Sequence, residues 1–263
     1  MSAEQIPPRP DGMHPAATPS SAIPLGVGGR PKATWGVWEA IAIYVLAIVL
    51  GGFATLPFLR LIEDEDLANL ASTAAAAVVI VGVLLAWLSR AHPGWRSVLG
   101  FPERGRWWPE IRRSVGFGLL LYPAMVFGVG LVVSVVLTVV SGEQAQAPEQ
   151  VPPDLSAVAV VVTAVYAIVI APIHEELFFR GVLFRAVRDP HGLVAGLLAS
   201  GLGFSLIHYL DGDWQDTLLL MGVMLFNGIA LAWWYERRGT IVAPVVAHMV
   251  FNVIGLTLIF TIG

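Results

Sequence analysis

The sequence contains no cysteine and a single lysine, Lys32, and only 13% of its 263 residues are charged. Without thiols there are no disulfides, no thiolate metal sites and no cysteine nucleophile. With one lysine there is no basic run of the kind that follows a phosphate backbone, so no nucleic-acid partner is expected. The scarcity of charge comes with 56% hydrophobic residues and a mean hydropathy of +0.74. That is far from the globular balance of about a quarter charged residues. Residues 1–34 hold seven prolines among Ser, Ala and Gly, with no apolar core. They read as a disordered, Pro-rich cytoplasmic tail rather than a secretory signal.

What the chain has in abundance is apolar length. Seven stretches, at roughly 36–57, 67–89, 114–140, 155–173, 192–209, 216–235 and 240–262, each approach the ~20 residues that cross about 30 Å of hydrocarbon. The expected fold is all-α, a polytopic transmembrane bundle of about seven spans occupying 35–263. Fourteen of the fifteen Lys and Arg residues fall in the tail or on alternate connections, and only Arg60 lies on the other side. The opposite connections carry Glu63-Asp64-Glu65-Asp66, then Glu143 and Glu149, then Asp211, Asp213 and Asp216. The positive-inside rule puts the N-terminus in the cytoplasm and the C-terminus outside. An Ala-, Val- and Arg-rich composition points to a GC-rich bacterium, hence to its inner (plasma) membrane. Trp95, Trp107 and Trp108, set among arginines, read as headgroup anchors.

Ionisable groups inside spans are costly and by default mark a functional site. Here they gather in the second half: His174-Glu175-Glu176 and Arg180 at the end of span four, His208 in span five, His248 and Asn252 in span seven. Nothing comparable occurs in spans one to three. Glu176 and Arg180 are four apart and stack on one helix face as an ion pair. Glu175, turned about 100° from Glu176, is left to face a cavity. Asn227 in span six reads as a helix–helix hydrogen-bond donor. The breaker Asp189-Pro190-His191-Gly192 turns span four into span five, putting Glu175 and His208 at similar depth. His248 starts shallower and meets them only if that turn projects beyond the membrane. His208 also lies only three residues from Asp211, whereas Leu155 to Glu175 is about 30 Å of helix. Either span four extends past the bilayer or the 209–216 loop dips into it.

Hydrolysis of a peptide bond needs a base for water, donors for the oxyanion and a proton for the leaving amine. Glu175, shielded from water in an apolar helix, is a stronger base than a solvated carboxylate. His208 can share or orient the water, and His248 and Asn252 can donate to the oxyanion. Alternatively Glu175, His208 and His248 can ligate zinc as a His₂Glu set. The H-E-x-x-H motif is absent, since Phe178 stands where its second histidine belongs.

Taken together, Glu175-Glu176-x-x-x-Arg180, Phe204-x-x-x-His208 and His248-x-x-x-Asn252 resemble the three motifs of the CAAX-protease and bacteriocin-processing (CPBP, Abi) family, which includes the type II CAAX prenyl endopeptidases. The resemblance covers about 155–255, and Leu99-Gly100-Phe101 also resembles a family feature. It implies an intramembrane endopeptidase that cleaves a membrane-associated or hydrophobic peptide. Glu175, with His208, would be catalytic, His248 and Asn252 would form the oxyanion site, and Glu176 and Arg180 would support them, most simply without a metal. The competing reading is a non-catalytic membrane scaffold or bacteriocin-immunity-type binding protein using the same cavity. A proton-coupled transporter is a more distant one, lacking the expected inverted repeat.

Overall fold

The computed structural model describes residues 30–103, 105–146, 155–209 and 213–262. The described chain is all-helical, with no strands. Its helices are α1 (Val37–Leu61), α2 (Glu65–Ala91), the short α3 (Trp95–Leu99), α4 (Trp107–Ser141), α5 (Ala157–His191), α6 (Leu193–Leu206), α7 (Trp214–Arg238) and α8 (Val242–Ile262). Six of them are long and apolar enough to cross a membrane, and α6, at 14 residues, is a shorter seventh. α1 lies along α2, α4 along α8, and α6 along α7.

The conflict of lengths around α5 and α6 is settled by both helices. α5 runs 35 residues without a break, about 50 Å at 1.5 Å per residue and well over the hydrocarbon thickness. α6 is only about 20 Å long and stops before His208, which lies in the turn after it. Residues 210–212 lie outside the described residues. Two segments of α5, Tyr166–Ile170 and Leu177–Phe184, are π-helical and flank the Ala171–Glu176 turn. Such insertions re-aim side chains within a helix and are frequent at functional sites.

One end of the bundle gathers the basic connections. Arg30 pairs with Glu236 at 2.8 Å, Arg238 with Glu110 at 2.7 Å, and the Ile241 N–H donates to the Leu99 carbonyl at 3.0 Å. The opposite end carries the acidic connections, where the Gln146 N–H donates to Asp216 Oδ1 at 2.6 Å. The alternation of charge along the sequence is therefore also a partition in space. The Leu99-Gly100-Phe101 step belongs to the basic end: Gly100 closes α3 at φ 73°, and a Cβ there would lie 1.9 Å from the Gly239 carbonyl. Only glycine permits that approach, which fixes the entry of α8 and so the register of His248.

The tail boundary at residue 34 moves. Residues 30–34, assigned by composition to the tail, are packed: the Ala33 N–H donates to Asp189 Oδ2 at 2.8 Å and Thr34 Oγ1 bonds His92 Nδ1 at 2.8 Å. Buried Trp35 then donates Nε1–H to the Val182 carbonyl at 3.0 Å. Composition cannot see these partners, because all of them lie more than fifty residues away. The rest of the tail, 1–29, lies outside the described residues.

Between α6 and α7 the contact is made by glycines. A Cβ on Gly228 would lie 2.9 Å from Gly201 Cα, and one on Gly201 would lie 2.6 Å from Ile229. Small residues let helix backbones approach closely in a membrane, where no hydrophobic effect drives association. This approach carries Phe204, fully buried, against Gly228 and Arg180.

Candidate active site

The site is built on the α7-facing side of α5. Glu176 and Arg180, one helical turn apart, form an ion pair at 2.8 Å with both side chains wholly buried. The Arg180 guanidinium also donates to the Gly228 carbonyl at 3.1 Å and lies 4.4 Å from the centre of the Phe204 ring. A buried carboxylate and a buried guanidinium are tolerable only when paired and hydrogen-bonded; here they are paired, while Glu176 Oε2 and Arg180 Nε have no hydrogen-bond partner among the described residues.

His248 on α8 reaches the same carboxylate. Its Nδ1 lies 2.8 Å from Glu176 Oε1, and its Nε2 points to Glu175 Oε2 at 3.8 Å. With Nδ1–H donated to Glu176, the ring is fixed in orientation and Nε2 is presented to Glu175. A carboxylate behind a histidine does this work in many catalytic sites. The sequence pairs Glu176 with Arg180 alone, and the contact to His248 is what that reading missed. It arises because α5 runs 16 residues from Glu175 to His191, whereas α8 reaches His248 six residues after Val242. The His191 end therefore projects about 15 Å beyond the start of α8, as the depth argument requires.

His208 is half-buried. Its Nδ1 lies 2.8 Å from the Phe204 carbonyl, and because that oxygen accepts, Nδ1 carries the hydrogen and Nε2 is left for another partner. The two imidazoles share a neighbour, since the Phe204 ring centre lies 4.6 Å from His208 and 5.7 Å from His248. Arg180, His208 and His248 are thus gathered around one phenyl ring, and Glu176 and Glu175 join them through His248. Among the described residues, no group of three or more His, Asp and Glu side chains is placed to hold a metal ion.

Asn252 has a specific partner, the Ala167 carbonyl, to which its Nδ2 donates at 2.7 Å. The reason is local to α5. In the π-helical segment each N–H reaches five residues back, as Ala171 does to Tyr166. The next donor in that register would be residue 172, which is proline and has no N–H. The Ala167 carbonyl is left open, and Asn252 closes it from α8. Asn252→Ala is therefore expected to cost about 1 kcal/mol through an unpaired, half-buried acceptor. Adding Pro172→Ala should recover most of that loss by restoring an in-helix donor. Thermal unfolding in detergent of the two single variants and the double variant checks this, and a double variant no more stable than Asn252→Ala would refute it.

Two further residues differ from expectation. Tyr44, in the first span, bonds His174 Nε2 through its hydroxyl at 3.3 Å and stacks on Phe178 at 3.5 Å. The first half of the chain thus contributes to the surroundings of Glu175, and a tyrosine inside an otherwise apolar span was the available signal. Asn227 is wholly buried, and among the described residues neither of its amide atoms has the helix–helix hydrogen-bond partner expected of it.

Residues 157–254 match the family model described as type II CAAX prenyl endopeptidase, Rce1-like. The matched region spans α5 to α7 and most of α8, and so holds every residue of the site except Tyr44. No curated protein and no solved structure matches the chain. The match, with six helices of membrane-spanning length, supports a multi-pass membrane protein with CAAX-type protease activity in general.

Proposed function

We propose that this multi-pass membrane protein, whose residues 157–254 carry the type II CAAX prenyl endopeptidase pattern, hydrolyses a peptide bond in a membrane-associated or hydrophobic peptide, with Glu175 as the base. The observation that carries the reading is the 3.8 Å gap between Glu175 Oε2 and His248 Nε2. That gap is too long for a direct hydrogen bond and is of a size that one water can bridge. Glu175 takes a proton from that water as its oxygen attacks the carbonyl carbon. His248, held by Glu176 and carrying a proton on Nε2, donates to the oxyanion. The second N–H of the Asn252 amide, the one not bound to Ala167, can add a further donor. His208 orients the water through its free Nε2. Collapse of the intermediate breaks the C–N bond, and the proton held by Glu175 passes to the leaving amine, giving a carboxylic acid and an amine.

These steps use protein groups and water alone. Arg180 and Glu176 act as positioning residues, since they touch His248 and the Phe204 ring rather than the water. The arginine-bearing end faces the cytoplasm of the cell whose inner membrane holds the protein, following the charge partition. The test is cleavage of a hydrophobic peptide library by the purified full chain, with and without chelator, beside Glu175→Gln. Cleavage that survives the chelator and disappears in the variant is expected. Cleavage abolished by chelator and restored by zinc would replace this mechanism with a metal-dependent one. A scaffold or immunity-type binding protein would cleave nothing and would keep its cellular phenotype in the Glu175→Gln variant.

A further inference from the structure

α6 falls short of membrane-spanning length, and the turn that follows it carries His208. Among the described residues, the hydrogen bonds of His208 run back to its own helix end. Nδ1 reaches the Phe204 carbonyl at 2.8 Å, and the backbone N–H donates to the Ser205 carbonyl at 3.1 Å. Where His208 stands relative to Glu175 is therefore decided by how α6 is seated between α5 and α7.

Apolar packing alone is a weak guide to that seat. Twelve of the 14 residues of α6 are Gly, Ala, Val, Leu or Phe, and lipid tails offer such side chains much the same surroundings as a neighbouring helix does. The two others, Ser200 and Ser205, are both buried. A serine inside a helix commonly returns its hydroxyl to the carbonyl four residues back. These two donate outward instead. Ser200 Oγ donates to the Phe179 carbonyl at 3.1 Å, within the π-helical Leu177–Phe184 segment of α5, and Ser205 Oγ to the Met221 carbonyl of α7 at 2.7 Å. Five residues apart, the two serines point about 140° from each other, so α6 is tied on both sides. Phe179 lies between Glu176 and Arg180 in sequence, which joins the first tie to the segment holding the buried pair. The second tie is made by the residue whose carbonyl takes the His208 N–H.

We propose that Ser200 and Ser205 are positioning residues for His208: their two hydroxyls set the height and rotation of α6, and with them the place of the imidazole relative to Glu175. Their part in the reaction rests on the hydrolytic reading, in which His208 orients the attacking water. The seating of α6 does not depend on it.

The experiment measures peptide cleavage by the full chain in detergent for Ser200→Ala, Ser205→Ala, His208→Ala and the two double variants. Each serine change is expected to lower kcat about tenfold with KM nearly unchanged, since a misplacement of about 1 Å can cost about 100-fold. His208→Ala keeps Glu175 and so retains a residual rate. In that background either serine change should lower kcat by less than about twofold, because the group it positions is gone. Equal losses in both backgrounds, or no loss in the parent chain, overturn the proposal. A second measurement needs no cleavage. The chain has no cysteine, so spin labels at Leu206→Cys on α6 and Val161→Cys on α5, both exposed positions, report the distance between the two helices. A broadened or shifted distance in the serine variants, with helix content unchanged, is expected, and an unchanged distribution overturns the seating. A parent chain that cleaves no peptide but shows this shift would remove the hydrolytic reading and leave the seating of α6 standing.

Discussion

Glu175→Gln is expected to lower peptide hydrolysis by about 10³-fold while leaving the fold intact, within the usual range for loss of a general base. The substitution is isosteric and removes only the ability to accept a proton from water. Among the described residues the basic group nearest to Glu175 is the His248 ring, at 3.8 Å, so no close contact is lost. The thermal midpoint should stay level or rise, because a neutral amide is easier to bury than a carboxylate. The loss should appear in kcat with KM nearly unchanged, as for a group that acts mainly in the transition state. A variant that keeps more than a tenth of the activity would remove Glu175 from the role of base.

That prediction separates Glu175 from its neighbour, although the two are adjacent in sequence and both buried. The separation was readable from helical geometry. Residues 100° apart on an apolar helix face different directions, and Arg180, one turn on, claims Glu176, although His248 reaches both carboxylates through its two ring nitrogens. The helical spans were legible for a similar reason: an apolar run of span length leaves few alternatives in a bilayer. What could not be read lies where one helix meets another. Glu176 binds His248 across 72 positions of sequence, and that contact depends on how far α5 projects past α8. The bond from Asn252 to Ala167 follows from a π-helical register that no apolar pattern encodes. Tyr44 was passed over because its hydroxyl sits alone in the apolar middle of the first span, and its partner His174 comes from α5. The Asn227 expectation failed differently. A hydrogen bond was inferred from the residue type and its place in a span, and among the described residues neither amide atom has a partner.

The buried pair beneath His248 should show the largest change in stability. Arg180→Met removes the guanidinium paired with Glu176, whose carboxylate is wholly buried and whose Oε2 has no hydrogen-bond partner among the described residues. Stranding a buried charge in this way typically costs about 3–5 kcal/mol. Glu176→Gln should cost less than Arg180→Met, because the amide oxygen can still accept from His248, but it strands the guanidinium in turn. In the double variant neither charge remains, so its loss should be well below the sum of the two single losses. A residual cost of about 1 kcal/mol is expected from the Gly228 carbonyl, which loses its Arg180 donor. Equilibrium unfolding in mixed detergent micelles measures all four species as a double-mutant cycle. Strictly additive losses would mean that the two side chains, 2.8 Å apart, do not support each other. Activity gives an independent reading: a positioning role predicts that Glu176→Gln retains cleavage at a reduced kcat, because His248 stays in place but is held less firmly. Loss of cleavage as complete as in Glu175→Gln would instead make Glu176 part of the chemistry.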